Sequence, residues 1–435
     1  MPLGIYISVP FCRAKCSYCN FASDVFSRAN FQRYVDRLGA DIENASRIAQ
    51  EMGAEMQHEV DSIYLGGGTP TVLEAAQLER IFATVRREFD VSPGAETTVE
   101  CAPGTLTPAV LESFLRCGVN RISLGVQSFV DREAAAVGRL HQRTTVLEDI
   151  ARLRAAGILN INIDLIAGLP HQTAEGWEFS LTETIATGVP HVSVYMLEVD
   201  DDSRLGREVI AGGTRYHAHF VPQEEAVADF YAGACDRLQS AGIAQYEISN
   251  FAREPFESRH NLKYWTRQPY FGFGLDAHSM LPTKGKTSGD QGRFCIGESD
   301  GNREGHDFGR AVSKQKPELG FSPCNGDIEA VRFAQPDSLE KYMSGTPLHH
   351  SVVTYRAALE ETFFLGLRLN RGISLRELSS KFGDKDVDLF RTALAELVED
   401  GLLEQKGGFV GLTRRGRLLS NEVFERFILA DEVAL

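Results

Sequence analysis

Residues 9–21 read Val9-Pro-Phe-Cys12-Arg-Ala-Lys-Cys16-Ser-Tyr-Cys19-Asn-Phe21 and place three cysteines in one short stretch. The alternating run Ile5–Val9 before them predicts a β-strand, and Pro10 ends it. The spacing C-x3-C-x2-C lets a loop after that strand direct three thiolates to one point. Three thiolates suit a 4Fe–4S cluster with one iron left open, or a zinc ion with its fourth ligand elsewhere. The triplet alone does not choose between the two.

The composition restricts the class of protein. The chain has 435 residues, of which 43% are apolar and 24% charged, so two or three domains are expected. Its net charge of −15 argues against nucleic-acid binding, and its cysteines, mostly scattered, suit a reducing compartment. No apolar run approaches the roughly 20 residues that span a bilayer, and the early strand leaves no room for a signal peptide. We expect a cytoplasmic protein with no integral membrane segment and no nucleic-acid partner.

Strands and helices alternate through the first 200 residues. The predicted strands are Ile5–Val9, Ser62–Leu65, Glu96–Glu100, Arg121–Val126, Asn160–Ile166 and His191–Val199. Helical segments separate them, which predicts a parallel α/β domain. Unusual polar or glycine residues follow strand after strand. The carboxyl ends of barrel strands share one face, whereas an open sheet gathers such residues at its switch point. The pattern therefore favours a partial TIM-type (β/α)6 barrel over a doubly wound sheet.

Several residues at or beyond the strand ends, and Asp164 inside the fifth strand, are candidates for ligand binding. They are Gly66, Gly67, Gly68 and Thr69, then Glu100, Gln127, Arg139 and Asp164. The glycines let backbone approach a ligand, and their amides could donate to it. The two carboxylates could accept hydrogen bonds from an ammonium or ribose group, and Gln127 and Arg139 could contact a carboxylate. The alternatives are a simple turn for the glycine run, a solvated strand-end acid for Glu100 and an exposed salt bridge for Arg139.

Beyond residue 200 the pattern changes. We expect three parts: a barrel over residues 1–245, a connecting region over 246–345 with an irregular, glycine-rich insertion at 283–327, and a domain over 346–435. Helical segments that include Leu375–Phe382 and Val387–Glu399 precede a hairpin at residues 402–412, which is the order of a winged helix. DNA binding does not follow from that fold alone.

His260 stands in the connecting region beside Asn261, Tyr264 and Trp265. An imidazole among aromatic side chains could ligate a heme iron while the rings cover the macrocycle. From the spacing alone, a hydrogen-bonded structural histidine is the commoner explanation.

These motifs together resemble the radical S-adenosylmethionine (SAM) superfamily. Those that carry the resemblance are Tyr6–Cys19, Gly66–Pro70, Gly125–Phe129, Gly138–His141, Asp164–Pro170, Tyr246–Asn250 and His260–Trp265. They resemble the branch that contains oxygen-independent coproporphyrinogen III oxidase and a related heme chaperone, over about residues 4–282 and 329–428. The resemblance implies a 4Fe–4S cluster on Cys12, Cys16 and Cys19, with SAM on its open iron. Reduction through the cluster would then cleave SAM to a 5′-deoxyadenosyl radical.

The resemblance also implies residue roles and partners. The positions that bind SAM in the family correspond to Tyr6, Tyr18, Gly67, Gly68, Thr69, Glu100, Gln127, Arg139 and Asp164. His260 is implied in heme binding, and a flavodoxin- or ferredoxin-type protein would donate electrons. The oxidase has a further cysteine where this chain has Phe21, and Leu275-Asp276 replaces the usual Pro-Gly. We expect a protein that binds heme and transfers it to an acceptor protein. The alternative is an enzyme that decarboxylates coproporphyrinogen III to protoporphyrinogen IX.

Overall fold

The computed structural model of the protein describes residues 1–283 and 328–429, so most of the predicted insertion at 283–327 lies outside the described residues. The described chain divides into two bodies. The first, called the barrel body, comprises Gly4–Glu43 and His58–Leu262. The second comprises Met1–Leu3, Asn44–Gln57 and Lys263–Leu435. The domain boundaries expected at residues 245 and 345 stay predictions.

A largely parallel sheet forms the barrel body. Its strands are β1 Leu3–Val9, β2 Glu59–Gly67, β3 Asp90–Cys101, β4 Arg121–Gln127, β5 Asn160–Ala167, β6 His191–Met196, β7 Ala244–Gln245 and β8 Asn250–Ala252. Their order is β1-β2-β3-β4-β5-β6-β8-β7. Strands β2 to β6 pair in parallel, and β8 pairs antiparallel with β6 and β7. Among the described strands β1 and β6 are not neighbours, so the barrel is partial, which confirms the predicted architecture.

The helices follow the predicted alternation. They are α1 Ala29–Glu43, α2 Ala45–Glu51, α3 Ala75–Glu88, α4 Pro108–Arg116, α5 Asp131–Ala136, α6 Arg143–Ala155, α7 Ala174–Thr187, α8 Arg204–Ile210, α9 Glu224–Ser240, α10 Arg259–Trp265, α11 Leu339–Ser344, α12 Tyr355–Gly366, α13 Leu375–Phe382, α14 Asp384–Asp388, α15 Arg391–Glu399, α16 Arg414–Leu418 and α17 Ser420–Glu425. A 3₁₀ helix spans Pro70–Val72, and Arg215–Phe220 is a 3₁₀ segment with a kink at Tyr216 and His217, whose φ angles are positive. None of the helices in residues 1–283 and 328–429 has the length and apolarity to cross a membrane.

The described strands of the second body pair antiparallel in two groups. The first group is β9 Tyr270–Phe273, β10 His278–Pro282, β11 Ile328–Ala334 and β12 His349–Thr354, and the second is β13 Ile373–Ser374, β14 Leu403–Lys406 and β15 Phe409–Leu412. Strands β13 to β15 form a three-stranded sheet in the order β13-β15-β14. Strand β13 lies between α12 and α13, and the hairpin of β14 and β15 follows α15. This arrangement agrees with the predicted winged helix.

One helix of this winged-helix region differs from the prediction. The segment Val387–Glu399 is broken into α14 and α15 rather than continuous. The break accompanies the burial of Phe390, whose ring centroid lies 4.5 Å from that of Phe363.

Candidate functional site

The interior of the partial barrel is polar and partly open. Each of strands β1 to β6 is largely buried but contains a partly exposed residue within its length. These residues are Tyr6, Tyr64, Glu100, Gly125, Asp164 and Tyr195. Gly125 pairs with Asp164 across β4 and β5, and residues that pair across a sheet lie on the same face. The strands therefore present aromatic and carboxylate groups to one common face.

The cysteine loop lies directly after β1 and is closed by one lysine. The Lys15 Nζ atom donates hydrogen bonds to the carbonyl oxygens of Phe21, at 2.7 Å, and Ser23, at 2.5 Å. The backbone N–H of Cys12 also donates to the Asp24 carbonyl, at 3.0 Å. These bonds hold the two ends of the loop together around Cys16 and Cys19.

The three thiols are free, partly buried and close to polar neighbours. The Cys12 Sγ atom lies 3.8 Å from the Thr69 hydroxyl, and the Cys16 Sγ atom lies 3.6 Å from Arg139 Nη1. Burial raises the pKa of the Cys12 thiol, and the nearby thiols of Cys19 and Cys16 add to that increase. The three sulfurs therefore lie within electrostatic reach of one another.

This arrangement bears on the choice between zinc and an iron–sulfur cluster. In the described part of the chain, no three His, Cys, Asp or Glu side chains are grouped so that they could hold one metal ion. A structural zinc ion needs four ligands around a single atom. A 4Fe–4S cluster presents a different iron to each thiolate, so its sulfur ligands need not share one ion. Three free thiols on one loop are a donor set that such a cluster accepts.

The glycine run after β2 packs against the cysteine loop. The backbone N–H groups of Gly68 and Thr69 donate to the carbonyls of Val9, at 2.9 Å, and Phe11, at 2.8 Å. A Cβ atom on Gly68 would lie 2.7 Å from the Val9 oxygen. The N–H of Gly67 donates to Glu100 Oε2 at 3.2 Å. These amides therefore donate hydrogen bonds within the protein. The expectation that they would donate to a ligand does not hold for Gly67, Gly68 and Thr69.

Two carboxyl groups sit on the common face of the strands. Glu100 Oε1 accepts a hydrogen bond from the Tyr64 hydroxyl at 2.8 Å, and burial raises the pKa of Glu100 to about 7. Asp164 accepts hydrogen bonds from Ser123, at 3.1 Å, and Asn162, at 2.7 Å. Burial raises its pKa as well. A cationic ligand beside them would favour their ionised forms.

Arg139 connects the end of β4 to the cysteine loop. Its Nη2 donates to the Gly125 carbonyl while Nη1 faces Cys16. Burial raises the pKa of Tyr18, and the Arg139 charge opposes that increase. Gln127, at the end of β4, is buried with a positive φ of 71°. The structure thus brings Arg139, Gln127 and Tyr18 to the same end of the strands as the cysteines.

His260 lies in the barrel wall. It is 1% exposed, and its Nδ1 lies 3.1 Å from the Ser62 hydroxyl. The ring centroid is 5.3 Å from that of Tyr64 and 6.5 Å from that of Tyr6. Its backbone N–H donates to Glu96 at 3.0 Å. His260 therefore contacts tyrosines of the common face from the buried side.

Sequence reasoning missed two residues that shape this site. Tyr64 orients Glu100, and it lies two residues before Gly66 on the same strand, so strand alternation could have identified it. Lys15 closes the cysteine loop through backbone carbonyls. The sequence does not reveal this role, because every residue has a backbone carbonyl that can accept a hydrogen bond from a lysine.

The chain matches two protein families and several relatives along its length. The Radical SAM superfamily matches residues 6–182 and the HemN C-terminal domain matches residues 353–419. The heme chaperone HemW of Bacillus subtilis is 32% identical over 424 residues, covering 97% of this chain and 98% of the relative. The heme chaperone HemW of Lactococcus lactis is 30% identical over 434 residues, covering 99% and 98%.

A solved structure agrees with the fold. The coproporphyrinogen III oxidase HemN of Escherichia coli, a radical SAM enzyme, superposes with a TM-score of 0.75 at 22% identity. The match covers 98% of this chain and 90% of that one. The superfamily implies a 4Fe–4S cluster and SAM as cofactors. From the full-length similarity to its relatives, the chain belongs to the radical SAM superfamily and, within it, to the HemW family.

Proposed function

We propose that the protein binds heme and transfers it to an acceptor protein, with a 4Fe–4S cluster and SAM controlling the transfer. The observation that carries this proposal is the similarity to the HemW heme chaperones, which extends over 97% and 99% of the chain in two relatives. The likeness to coproporphyrinogen III oxidase, at 22% identity, supports the fold alone. The scattered cysteines suit a cytoplasmic location.

Cys12, Cys16 and Cys19 would hold the cluster. They are free thiols on one loop, which Lys15 closes. When bound, the cluster with SAM supplies one-electron chemistry at the sulfonium. The Arg139 guanidinium beside Cys16 would stabilise the negative charge of the thiolates.

The SAM site would lie on the common face of the strands. The residues that would form it are Tyr6, Tyr18, Gly67, Gly68, Thr69, Glu100, Gln127, Arg139 and Asp164. Glu100 and Asp164 are half-buried carboxyls whose pKa values are raised by burial. A cationic ligand beside them would favour their ionised forms, and the resulting carboxylates would attract that cation. The amides of Gly67 and Gly68 are already used, so the glycine run would offer carbonyl oxygens to the ligand ammonium.

His260 would take part in heme binding through its position behind Tyr64. Because the side chain is 1% exposed, direct ligation of iron would require α10 to move away from Glu96. A reductase partner of the flavodoxin or ferredoxin type would supply the electron.

Anaerobic reconstitution followed by two assays tests the proposal. The reconstituted protein should bind about four irons and four sulfides, and its cluster spectrum should change on addition of SAM. The triple variant C12S/C16S/C19S should lose the cluster, whereas Cys235→Ser, which changes a cysteine in α9, should keep it. Heme added to the holoprotein should give a Soret band and then move to an apo-acceptor. Turnover of coproporphyrinogen III with SAM and reductant would instead establish the oxidase alternative.

A further inference from the structure

A buried serine lies at the end of the cysteine loop, shortly after the third cysteine. Ser23 is 6% exposed, and its carbonyl oxygen accepts the 2.5 Å hydrogen bond from Lys15 Nζ. The next residue, Asp24, is also held by its backbone. Its N–H donates to the Pro10 carbonyl at 2.9 Å, and its carbonyl accepts from the Cys12 N–H at 3.0 Å. These bonds fix the backbone of Ser23 beside the first cysteine.

The Ser23 hydroxyl contacts two of the three thiols. Its Oγ atom lies 3.8 Å from the Cys19 Sγ atom. Burial raises the pKa of the Cys12 thiol, and hydrogen bonds from Ser23 and Thr69 oppose that increase, so the hydroxyl also reaches Cys12. Within residues 1–283 and 328–429, the hydrogen-bond partners of this hydroxyl are therefore both cysteine sulfurs.

The form of Cys19 decides which atom of the pair donates. Between a free thiol and a hydroxyl, either group can be the donor. A cysteine that is bound to iron is a thiolate and carries no proton. The Ser23 hydroxyl is then the donor and the sulfur is the acceptor. Hydrogen bonds to an ionised acceptor are stronger than those between neutral groups, so this contact should strengthen when the cluster binds.

The other two cysteines have donors of their own. The Thr69 hydroxyl lies 3.8 Å from the Cys12 Sγ atom, and Arg139 Nη1 lies 3.6 Å from the Cys16 Sγ atom. A polar hydrogen therefore faces each of the three sulfurs. The first two donors also belong to the proposed SAM site, whereas Ser23 does not. Ser23 can therefore be changed without altering a residue that would bind SAM.

The rest of the loop is held by contacts that do not involve the serine hydroxyl. The Arg204 guanidinium donates to the Lys15 carbonyl, and the Leu205 N–H donates to the Ser17 carbonyl at 2.8 Å. Tyr18 packs against the apolar cluster that contains Leu205. The shape of the loop therefore depends on its backbone contacts, and a variant without the hydroxyl should still hold iron.

A donor beside a cluster sulfur changes the energy of reduction. Hydrogen bonds to the sulfurs are among the factors that set the reduction potential of a 4Fe–4S cluster. Reduction adds one electron and increases the negative charge on the sulfurs, and a nearby donor stabilises that charge. Because Ser23 is buried, water is poorly placed to replace its hydroxyl. Loss of the hydroxyl should therefore make the reduction potential more negative.

We propose that Ser23 tunes the reduction potential of the cluster by donating its hydroxyl hydrogen to the Cys19 thiolate. This inference rests on the proposed cluster at the three cysteines. It adds a residue that binds neither iron nor SAM and acts through Cys19. The hydroxyl makes the cluster easier to reduce, so that a one-electron donor needs less driving force.

A redox titration of the anaerobically reconstituted protein, followed by electron paramagnetic resonance, tests the proposal without SAM. Ser23→Ala should shift the midpoint potential to a more negative value, and should lower the equilibrium constant for one-electron reduction about threefold or more. Its iron and sulfide content should match the wild type. Ser23→Thr keeps a hydroxyl and should return the potential towards that of the wild type. Ser27→Ala, the control, removes an exposed hydroxyl and should titrate as the wild type does.

The outcomes separate this inference from the proposed function. If Ser23→Ala holds a full cluster with the wild-type potential, Ser23 does not tune the cluster and the proposed function stands. An equal shift in Ser23→Thr and Ser23→Ala would assign the effect to packing and overturn the proposal. If Ser23→Ala loses its iron while Ser23→Thr keeps it, the serine holds the cluster in place and the proposal is also overturned. If the wild type assembles no cluster, the proposed function fails together with this inference.

Discussion

The Tyr64 hydroxyl donates a 2.8 Å hydrogen bond to Glu100 Oε1, which joins β2 to β3 directly below the glycine run. The ring of the same tyrosine lies 5.3 Å from His260. One side chain therefore touches both a carboxyl of the proposed SAM site and the histidine of the proposed heme motif. A substitution of Tyr64 should therefore change the surroundings of both Glu100 and His260.

Replacing Tyr64 by Phe should weaken SAM binding by up to about tenfold, because a hydrogen bond to a charged group contributes about 1.5 kcal/mol and this one reaches SAM only through Glu100. Without the donor, Glu100 loses a contact that favours its ionised form. Isothermal titration of the reconstituted protein measures the effect, and iron content should be unchanged. Tyr355→Phe is the control, since it removes a hydroxyl that donates at 2.6 Å in the second body. If Tyr64→Phe and Tyr355→Phe bind SAM with equal affinity, Tyr64 does not contribute to the SAM site.

The raised pKa of Glu100 predicts a pH-dependent change in stability. The folded state holds this proton more tightly than the unfolded chain, whose pKa is near 4.5. The carboxyl therefore stabilises the fold fully below about pH 4.5, and that contribution is lost as the pH rises through about 7. The free energy of unfolding of apo Glu100→Gln, measured relative to wild type, should therefore rise by at most about 3 kcal/mol between pH 4 and pH 8.

Urea unfolding at several pH values measures this difference for the apoprotein. Glu59→Gln, at an exposed position of β2, should show no comparable trend. A Glu100→Gln difference that stays constant across the range would place the pKa of Glu100 near its ordinary value.

Gly68→Ala should disrupt the cysteine loop. The new Cβ would lie 2.7 Å from the Val9 oxygen and 2.8 Å from the Phe11 oxygen, and both of these are backbone atoms that cannot rotate away. We expect a loss of about 2 kcal/mol or more in unfolding free energy and reduced iron incorporation. Gly39→Ala is the matched control, because its Cβ would meet nothing within 4 Å and Ala favours a helix. Normal iron content in Gly68→Ala would contradict the packing described.

Glu96→Ala should destabilise the start of α10. The buried carboxylate accepts hydrogen bonds from the backbone N–H groups of Arg259 and His260, each at 3.0 Å, and faces the Ser258 hydroxyl. Removing it leaves these donors buried without an acceptor, at a cost of about 3 kcal/mol. Chemical denaturation measures this loss of unfolding free energy. Glu96→Gln should lose less than Glu96→Ala, because its amide oxygen can still accept. Glu59→Ala should stay within about 0.5 kcal/mol of wild type.

The sequence predicted those elements whose residues determine them locally. Helix α13 begins and ends at the predicted residues, because apolar spacing and Ser374 as an N-cap act within a few positions. The sixth strand ends at Met196 and not at Val199. The Leu197 N–H still donates to Ala167, after which an acidic run leaves the sheet. The alternation of apolar and polar residues alone could not show that the strand ends at Met196.

The parts of the site that escaped prediction depend on contacts distant in sequence. The sequence does not predict helix α10, because its first turn is held by Glu96, 163 residues away from Arg259. The cysteines and glycine run were recognisable from spacing and composition. The burial of His260 was not, since it follows from Ser62 and Tyr64 on a strand far earlier in the chain.

The contact between Arg204 and the carbonyl of Lys15, 189 residues apart, has a consequence for biosynthesis. The cysteines leave the ribosome well before Arg204, so part of the support for their loop is translated much later. Until residues up to about Ala218 have emerged and packed beside Tyr18, the loop lacks that support. Metal delivery to the nascent chain should therefore succeed only late in translation or after release.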